Sequence, residues 1–235
     1  YKDSFVLALI INASDIAFLI PPSIGMIIYG VISSTSISEL FIAGIGPGLL
    51  LLVLFSAYSM IYATINNVPT EPKASWGERI QSVKRAVFIL VGAGAAFSWV
   101  ISFAQVPQAI LAAVGVADMG PKGVLAVISI AFFIACMFVD PIVVILVLTP
   151  IFAPAIEASG IDPVLVGVLI TLQVAIGSAT PPFGCDIFTA IAIFKRPYIE
   201  VIRGIFPFTL ILLSVSVALI YFPQIALFLR DLAFR

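Results

Sequence analysis

Apolar stretches without a charged residue alternate with short polar breaks along the whole chain. A membrane-spanning helix needs about 20 consecutive apolar residues, and several of these stretches reach that length. The pattern therefore predicts an all-α polytopic membrane protein. The predicted elements are unbroken spans over 40–65, 86–106 and 204–226, spans interrupted by proline over 5–33 and 163–194, a hairpin over 123–156, and a helix on the membrane surface over 71–85.

Two of the predicted spans contain a pair of consecutive prolines. Pro21 and Pro22 precede Ser23 in the first, and the second contains Pro181 and Pro182. Consecutive prolines remove two backbone donors and clash with the preceding helical turn, so each pair predicts a broken helix. Unwound backbone is tolerated at membrane depth where it is buried in protein or lines a watery cavity. Each break therefore indicates either a binding site or a kink that serves packing.

An acid followed by proline, Asp140-Pro141, interrupts the apolar stretch over 123–156. Two full crossings need about 40 residues and a turn in water, and this stretch is shorter than that. We therefore expect a re-entrant hairpin whose tip, at Asp140, lies inside the membrane.

The two proline-broken spans match each other at one constant shift along the sequence. Pro21-Pro22 pairs with Pro181-Pro182, and at the same shift Gly44-Ile45-x-Pro47 pairs with Gly204-Ile205-x-Pro207. An odd number of crossings separates the two units, so the sequence predicts an inverted repeat, the architecture of secondary transporters whose discontinuous helices meet near the midplane. The repeats would comprise residues 1–70 and 86–235, with the surface helix over 71–85 between them and the first unit's own hairpin before Tyr1.

Composition supports the membrane assignment and excludes several kinds of site. The chain of 235 residues is 62% hydrophobic and 10% charged, whereas a soluble domain has about 25% charged residues. A net charge of −1 excludes the basic surface that nucleic-acid binding needs. The chain has no histidine, which excludes Ser-His-Asp catalysis and His-ligated metal sites.

Cys136 and Cys185 lie far apart in apolar stretches and are typical of small buried side chains. We expect no enzyme activity, no cofactor and no metal beyond a coupling ion.

Six groups of residues carry a family resemblance. They are Ile20-Pro21-Pro22-Ser23-Ile24 with Tyr29-Gly30, Leu40-Phe41-Ile42-Ala43-Gly44-Ile45-Gly46-Pro47-Gly48, Met137-Phe138-Val139-Asp140-Pro141, Leu148-Thr149-Pro150-Ile151, Gly160-Ile161-Asp162-Pro163, and Ile176-Gly177 followed by Thr180-Pro181-Pro182-Phe183-Gly184. Together they extend over nearly the whole chain and resemble the large membrane subunit of the tripartite ATP-independent periplasmic (TRAP) transporters.

This resemblance implies sodium-driven uptake of organic acids, such as dicarboxylates, by an elevator motion in the bacterial inner membrane. It also implies two partners, a small membrane subunit and a periplasmic substrate-binding protein. The cation sites of the family lie where each hairpin tip meets a broken helix. Carried over to this sequence, the residues expected at the sodium sites are Ser14, Asp15, Asp140, Gly177, Ser178 and Thr180.

The sequence departs from the family pattern in two respects. Asp15 stands where the family has a small or hydroxyl residue, and Ala17 often corresponds to glycine. Because an ionised, unpaired carboxylate in an apolar stretch costs several kcal/mol or more, Asp15 is either neutral, in a polar cavity, or facing a cation. The family also has two further transmembrane segments before the span over 86–106, whereas Lys84-Arg85 runs straight into that span here. Losing two spans preserves the inverted parity of the repeat.

The polar residues at the breaks have both a binding and a structural interpretation. The carbonyls at a half-helix C-terminus coordinate cations, and hydroxyls beside the second proline pair can complete such a site. Asp140 can instead cap the second helix of the hairpin, and Ser14 and Ser23 can bond back to their own helices. Asp186 either satisfies the N-terminal donors of its half-helix or faces the substrate path.

The distribution of basic residues predicts the orientation. Of the eleven Lys and Arg residues, eight lie on the side that holds the N-terminus and three on the other. The positive-inside rule makes the first side cytoplasmic, which places the C-terminus in the periplasm.

Three alternative functions compete with this interpretation. An ion-coupled carboxylate carrier of the same architecture would need no binding protein, and co-purification with a soluble periplasmic protein distinguishes the two. An intramembrane aspartyl protease would pair Asp140 with Asp186, but the expected Gly-x-Gly-Asp motif is absent. A purely structural membrane subunit would be poorly served by two proline breaks.

Overall fold

The computed structural model describes residues 1–69 and 120–234. The predicted surface helix over 71–85 and the predicted span over 86–106 lie outside the described residues. Within the described ranges the chain consists of helices and the turns between them, without a strand. The prediction of an all-α protein is confirmed.

Ten α-helices and one 3₁₀ turn make up the described part. They are α1 (Asp3–Ser14), the 3₁₀ turn Asp15–Phe18, α2 (Ile24–Ser33), α3 (Ile37–Ile65), α4 (Pro121–Cys136), α5 (Pro141–Ala158), α6 (Pro163–Ser178), α7 (Cys185–Phe194), α8 (Tyr198–Ile202), α9 (Ile205–Tyr221) and α10 (Gln224–Ala233).

Both proline pairs lie where helices are interrupted. The first break, residues 19–23, separates the 3₁₀ turn from α2, and the second break, residues 179–184, separates α6 from α7. Ser23 starts α2, because its hydroxyl oxygen accepts a hydrogen bond from Met26 N at 3.2 Å. Both Pro-Pro peptide bonds are cis.

The helix bounds repeat with the shift found in the sequence. The shift that pairs Pro21 with Pro181 also carries both ends of residues 3–18, comprising α1 and the 3₁₀ turn, onto the ends of α6. It carries α2 onto α7 to within a single position at each end. Each second half ends on a residue in the left-handed region, Ser34 at φ 55° and Lys195 at φ 51°. The two broken helices, residues 3–33 and 163–194, are therefore built alike.

Contacts at the two ends of the molecule show that the broken helices run in opposite directions. We call the end of the molecule that holds the start of α1 the A end and the opposite end the B end. At the A end, Arg196 just after α7 donates to Asp3 at the start of α1. At the B end, Tyr29 near the end of α2 donates to the carbonyl of Pro163 at the start of α6, at 2.9 Å. The start of each broken helix thus lies beside the end of the other, which confirms the predicted inverted repeat.

One arginine ties several elements together at the B end. Arg230 on α10 donates to Asp162 at 2.7 Å and lies 3.6 Å from Glu39 in the first turn of α3. Asp162 also caps α6, because its Oδ1 accepts from Val164 N at 2.8 Å. This contact holds α10 against the starts of α3 and α6.

The hairpin of α4 and α5 enters and leaves at the B end. At its start, Lys122 lies 5.0 Å above the ring of Tyr221, the last residue of α9. At its end, the turn after α5 leads directly into Asp162 and the Arg230 contact. Both helices and α6 have 16 to 18 residues, or about 24–27 Å of rise, so the hairpin tip reaches the depth of the second break.

Two helices, α3 and α5, are long and apolar enough to cross a membrane by length and composition, and the bent pair of α9 and α10 would make a third. The predicted span over 204–226 is shorter in the structure, because α9 ends at Tyr221 and the chain turns by 62° into α10. Proline at 223 lacks the N–H that would continue the helix. Helix α6 lies at the centre of the core, and all its residues from Val164 to Ser178 are buried.

Candidate functional site

The elements that flank the two breaks pack against one another in the interior. Helix α1 packs against α7, and the 3₁₀ turn packs against α6. Asp15 opens the 3₁₀ turn, and Asp186 lies in the first turn of α7. Ser178, the last residue of α6, bonds Asp186, so the two carboxyl groups belong to elements that pack together. The fold therefore gathers acids from both repeats at one place.

Asp15 is fully buried, and neither of its carboxyl oxygens has a hydrogen-bond partner among the described residues. Asn12, three residues earlier, is also fully buried, and its Oδ1 likewise lacks a partner there, while its Nδ2 donates to Ala8 O at 2.8 Å. Positions i and i+3 face the same side of a helix. Three oxygens that lack a hydrogen-bond donor among the described residues thus belong to one helical face. Oxygen atoms of this kind are suitable ligands for a cation.

The serines beside the first break have structural partners. Ser14 donates to Ile11 O at 2.5 Å, and Ser23 donates to Phe18 O at 2.6 Å while capping α2. Their hydroxyl protons are used within their own segment, which is the structural interpretation that the sequence left open. Only those lone pairs of the two hydroxyl oxygens that accept no hydrogen bond among the described residues are available to a ligand.

The hydroxyls beside the second break are also hydrogen-bonded. Thr180 donates to Ile176 O at 2.6 Å. Ser178 lies 2.8 Å from Ala175 O and 2.6 Å from Asp186 Oδ2, and its single proton is donated to one of them at a time. Ser178 is therefore the residue that orients Asp186.

Asp140 and Asp186 have different roles in the structure. Asp140 caps α5, because its Oδ1 accepts from Ile142 N at 2.9 Å. Asp186 has Ser178 and, at 3.8 Å, the Cys185 sulfur as its hydrogen-bond partners among the described residues, so its side chain does not cap α7. Of the two interpretations of Asp186, the contacts favour a side chain that is available to a ligand.

The hairpin tip is pressed against the second break. A Cβ added to Gly177 would lie 2.5 Å from Cys136 Cβ and 2.7 Å from Phe133 O, so only glycine lets α6 approach the end of α4 this closely. Beyond the contact, the rings of Phe138 on the tip and Phe183 in the break lie 5.8 Å apart, and each is 57% exposed. The tip thus contributes an aromatic ring to the segment that leads into α7.

Basic side chains of the described ranges lie at the ends of the molecule. Arg196 bonds Asp3 and Glu200 at the A end, and Arg230 bonds acids at the B end. Lys122 lies over Tyr221. The acids at the breaks therefore have no cationic partner within residues 1–69 and 120–234.

Sequence reasoning missed two polar residues of the interior. Asn12 was overlooked, although its spacing of three from Asp15 in an apolar stretch was the signal available. Thr149 on α5 is 1% exposed, and its hydroxyl lacks a partner among the described residues. Of the predicted sodium-site residues, Gly177, Ser178 and Thr180 lie at the end of α6 and in the second break, and Asp140 lies on the hairpin tip that follows the contact of Cys136 with Gly177.

The sequence was compared with protein families and with curated proteins. Residues 1–87 and 82–225 match the family described as "Tripartite ATP-independent periplasmic transporter, DctM component". The chain belongs to this family. The resemblance recognised in the motifs is confirmed, and the chain is a transporter permease subunit, not an enzyme. Family membership implies a multi-pass protein of the inner membrane that works with a substrate-binding protein and a small membrane subunit.

Two curated relatives are similar to all of this chain. The ectoine/5-hydroxyectoine TRAP transporter large permease protein of Ruegeria pomeroyi is 64% identical, and the ectoine TRAP transporter large permease protein of Halomonas elongata is 60% identical. Each alignment covers 100% of this chain and 69% of the relative. A C4-dicarboxylate TRAP transporter large permease protein of Pseudomonas aeruginosa is 29% identical over 98% of this chain and 68% of its own.

These alignments also locate an internal difference. The alignment with the Ruegeria relative covers 295 residues, whereas this chain has 235 residues in all, so the relative contains aligned positions without a counterpart here. The family match falls into two segments that meet at residues 82–87. The missing positions therefore belong at Lys84-Arg85, where the sequence departs from the family pattern.

Proposed function

We propose that this permease takes up ectoine-type solutes across the inner membrane, driven by sodium, together with a periplasmic binding protein and a small membrane subunit. The observation that carries the proposal is the identity of 64% and 60%, over the full chain, to two permeases named for ectoine. The C4-dicarboxylate permease is less similar, at 29%. Ectoine joins an amidinium cation and a carboxylate in one small molecule, so it is still an organic acid.

The first break is the proposed site for the coupling ion. Asp15 supplies a full negative charge and Asn12 a neutral oxygen, and both are buried without a donor among the described residues. A small hard cation such as sodium prefers oxygen ligands of this kind. Binding it there removes the cost of a buried, unpaired carboxylate.

The second break is the proposed partner site, formed by Gly177, Ser178 and Thr180 with Asp140 at the hairpin tip. The helix α6 ends here, and carbonyls at a half-helix C-terminus favour cations. The close packing of Gly177 on Cys136 and Phe133 keeps the tip beside these carbonyls. We expect an elevator motion to carry both breaks together, with the A end cytoplasmic and the C-terminus periplasmic.

Uptake by proteoliposomes tests the proposal. The permease would be reconstituted with its small subunit and supplied with radiolabelled ectoine through its binding protein. Two forms would be compared, this chain and a chain with the additional segment of the Ruegeria relative inserted after Arg85. We expect the form with the segment, which is the parent for the variants below, to accumulate ectoine with an inward sodium gradient, not with potassium, and without competition from succinate. Sodium-independent accumulation of ectoine, or accumulation that succinate inhibits, would contradict the proposal.

A further inference from the structure

The two proposed sodium sites use Asp15 and Asp140 as their charged ligands, and Asp186 is a further acid that neither site includes. Asp186 lies close to the element that carries Asp15, because Ser178 at the end of α6 bonds Asp186 and the 3₁₀ turn opened by Asp15 packs against α6. Asp15 is fully buried without a partner among the described residues, whose basic side chains lie at the molecule's ends. A sodium ion at Asp15 leaves negative charge at Asp186, and burying such a charge without a counter-charge is costly.

Asp186 is built to receive a ligand. Its Oδ2 accepts a hydrogen bond from Ser178 at 2.6 Å, which fixes the carboxyl group's orientation. Within residues 1–69 and 120–234, the one partner of its Oδ1 is the Cys185 thiol, at 3.8 Å, and a thiol is a weak donor. The residue is partly exposed, whereas Ser178 and Asp15 are fully buried. One carboxylate oxygen is therefore held by the protein and the other is open.

Two aromatic rings meet where the hairpin tip reaches the second break, the segment that leads into Asp186. Phe183 precedes Asp186 by three residues in the second break, and Phe138 comes from the hairpin tip. Their centroids are 5.8 Å apart with an interplanar angle of 46°, and each residue is 57% exposed although it lies beside a packed core. The face of an aromatic ring attracts cations, and planar delocalised cations also stack on it.

From this arrangement we infer that Asp186, oriented by Ser178, binds the planar cationic group of the transported solute together with the rings of Phe138 and Phe183. An amidinium carries N–H donors in the plane of its delocalised positive charge, and an open carboxylate oxygen accepts a charge-assisted hydrogen bond from one of them. The solute class of this site is thus a small zwitterion with a delocalised cation, and a dicarboxylate would meet like charge. This inference rests on the proposed function and assigns Asp186 as the group that recognises the positive charge of the solute.

The test is equilibrium binding of radiolabelled ectoine to the purified complex of the two membrane subunits at saturating sodium. We expect Asp186→Asn to raise the dissociation constant for ectoine at least tenfold, and Phe183→Leu to raise it several-fold. The half-saturating sodium concentration should stay within twofold in both. Ser178→Ala should weaken binding several-fold while keeping the carboxylate. Glu157→Gln, an exposed acid at the B end, is the matched control and should bind ectoine as the parent does.

Separate outcomes distinguish this inference from the proposed function. If the parent complex transports ectoine and Asp186→Asn binds it with the parent's dissociation constant, Asp186 is not the recognition group. If Asp186→Asn changes the sodium dependence alone, the residue is an ion ligand and the inference is wrong. If Asp186→Asn does not yield a monodisperse complex, Phe183→Leu and Ser178→Ala decide, and parent-like binding by both overturns it. Failure of the parent to transport ectoine contradicts the proposed function instead.

Discussion

Asp15 and Asp186 come from opposite repeats and lie in elements that pack together. Helix α1 packs against α7, and the 3₁₀ turn that Asp15 opens packs against α6, whose last residue, Ser178, bonds Asp186. The inverted arrangement of the two broken helices explains why residues of opposite repeats lie in the same region. Helix α1 starts at the A end and leads into the 3₁₀ turn that Asp15 opens, whereas α7, with Asp186 near its start, runs back to that end. Because the rise of an α-helix is about 1.5 Å per residue, both acids lie about 12–18 Å below the A end.

The first prediction concerns sodium affinity. Asp15→Asn should raise the half-saturating sodium concentration for uptake by at least about tenfold, since the charged ligand is lost and each 1.4 kcal/mol of binding energy is worth about a factor of ten. Thr180→Val removes a hydroxyl oxygen at nearly constant volume and should raise it to a smaller extent. Uptake would be measured against sodium at fixed membrane potential and saturating solute.

The matched control for these variants is Glu200→Gln, which removes an acid paired with Arg196 at the A end. Its sodium dependence should equal that of the parent. If Asp15→Asn and Thr180→Val both keep the parent's half-saturating concentration, the breaks are not the cation sites.

A second prediction concerns the packing of the hairpin tip. Gly177→Ala places a methyl group against Cys136 and the Phe133 carbonyl, so α4 must move away from the second break. Overpacking of this kind costs about 1–3 kcal/mol, and we expect a lower unfolding temperature in detergent and at least tenfold slower uptake. Gly120→Ala is the control, because no atom of the described part of the chain lies within 4 Å of its added Cβ. Equal behaviour of the two variants would show that the tip does not depend on this contact.

A third prediction concerns the B end. Arg230→Gln leaves Asp162 and Glu39 without their shared cation, and hydrogen bonds to charged groups contribute about 1.5–3 kcal/mol. The variant should unfold several degrees earlier than the parent in a fluorescence melting assay. Arg203→Gln removes an exposed arginine that forms no ion pair within the described residues and should melt as the parent does. A parent-like melting temperature for Arg230→Gln would mean that α10 is held by apolar packing alone.

The orientation of the chain gives a fourth prediction. In a background with Cys136→Ala and Cys185→Ser, single cysteines at Ser75 and Ser159 should be labelled by an impermeant maleimide from opposite sides. The positive-inside rule predicts labelling of position 75 from the cytoplasm and of position 159 from the periplasm. The reverse pattern would invert the assignment of both ends.

The fifth prediction concerns the segment that the Ruegeria relative has beyond this chain. We expect sodium-driven accumulation from the chain that carries the relative's segment after Arg85 and none from the chain without it, since the segment holds spans present in the family. Each form would be assayed with and without its partner subunits, and neither should transport without them. Equal uptake by both forms would make the segment dispensable.

Much of the fold could be predicted from the sequence because the relevant signals are local. Paired prolines interrupt helices wherever they stand, so the breaks at Pro21-Pro22 and Pro181-Pro182 could be placed by inspection, and the constant shift between them revealed the repeat. Counting crossings was enough to predict that the repeats are inverted. The sequence also showed that Asp15 is an acid in an apolar stretch, where an ionised carboxylate requires a compensating charge.

The roles of individual polar residues depended on neighbours that are remote in the sequence. The sequence by itself determined the membrane class, the broken helices and the antiparallel repeat, because apolar length and proline chemistry act within one segment. Only the tertiary structure decided that Asp140 caps α5 and that Ser178 holds Asp186. It also packed the 3₁₀ turn that Asp15 opens against α6 and left the Asn12 side-chain oxygen without a donor among the described residues. A buried polar atom's role depends on which donors and charges surround it in space, and packing alone brings those groups together.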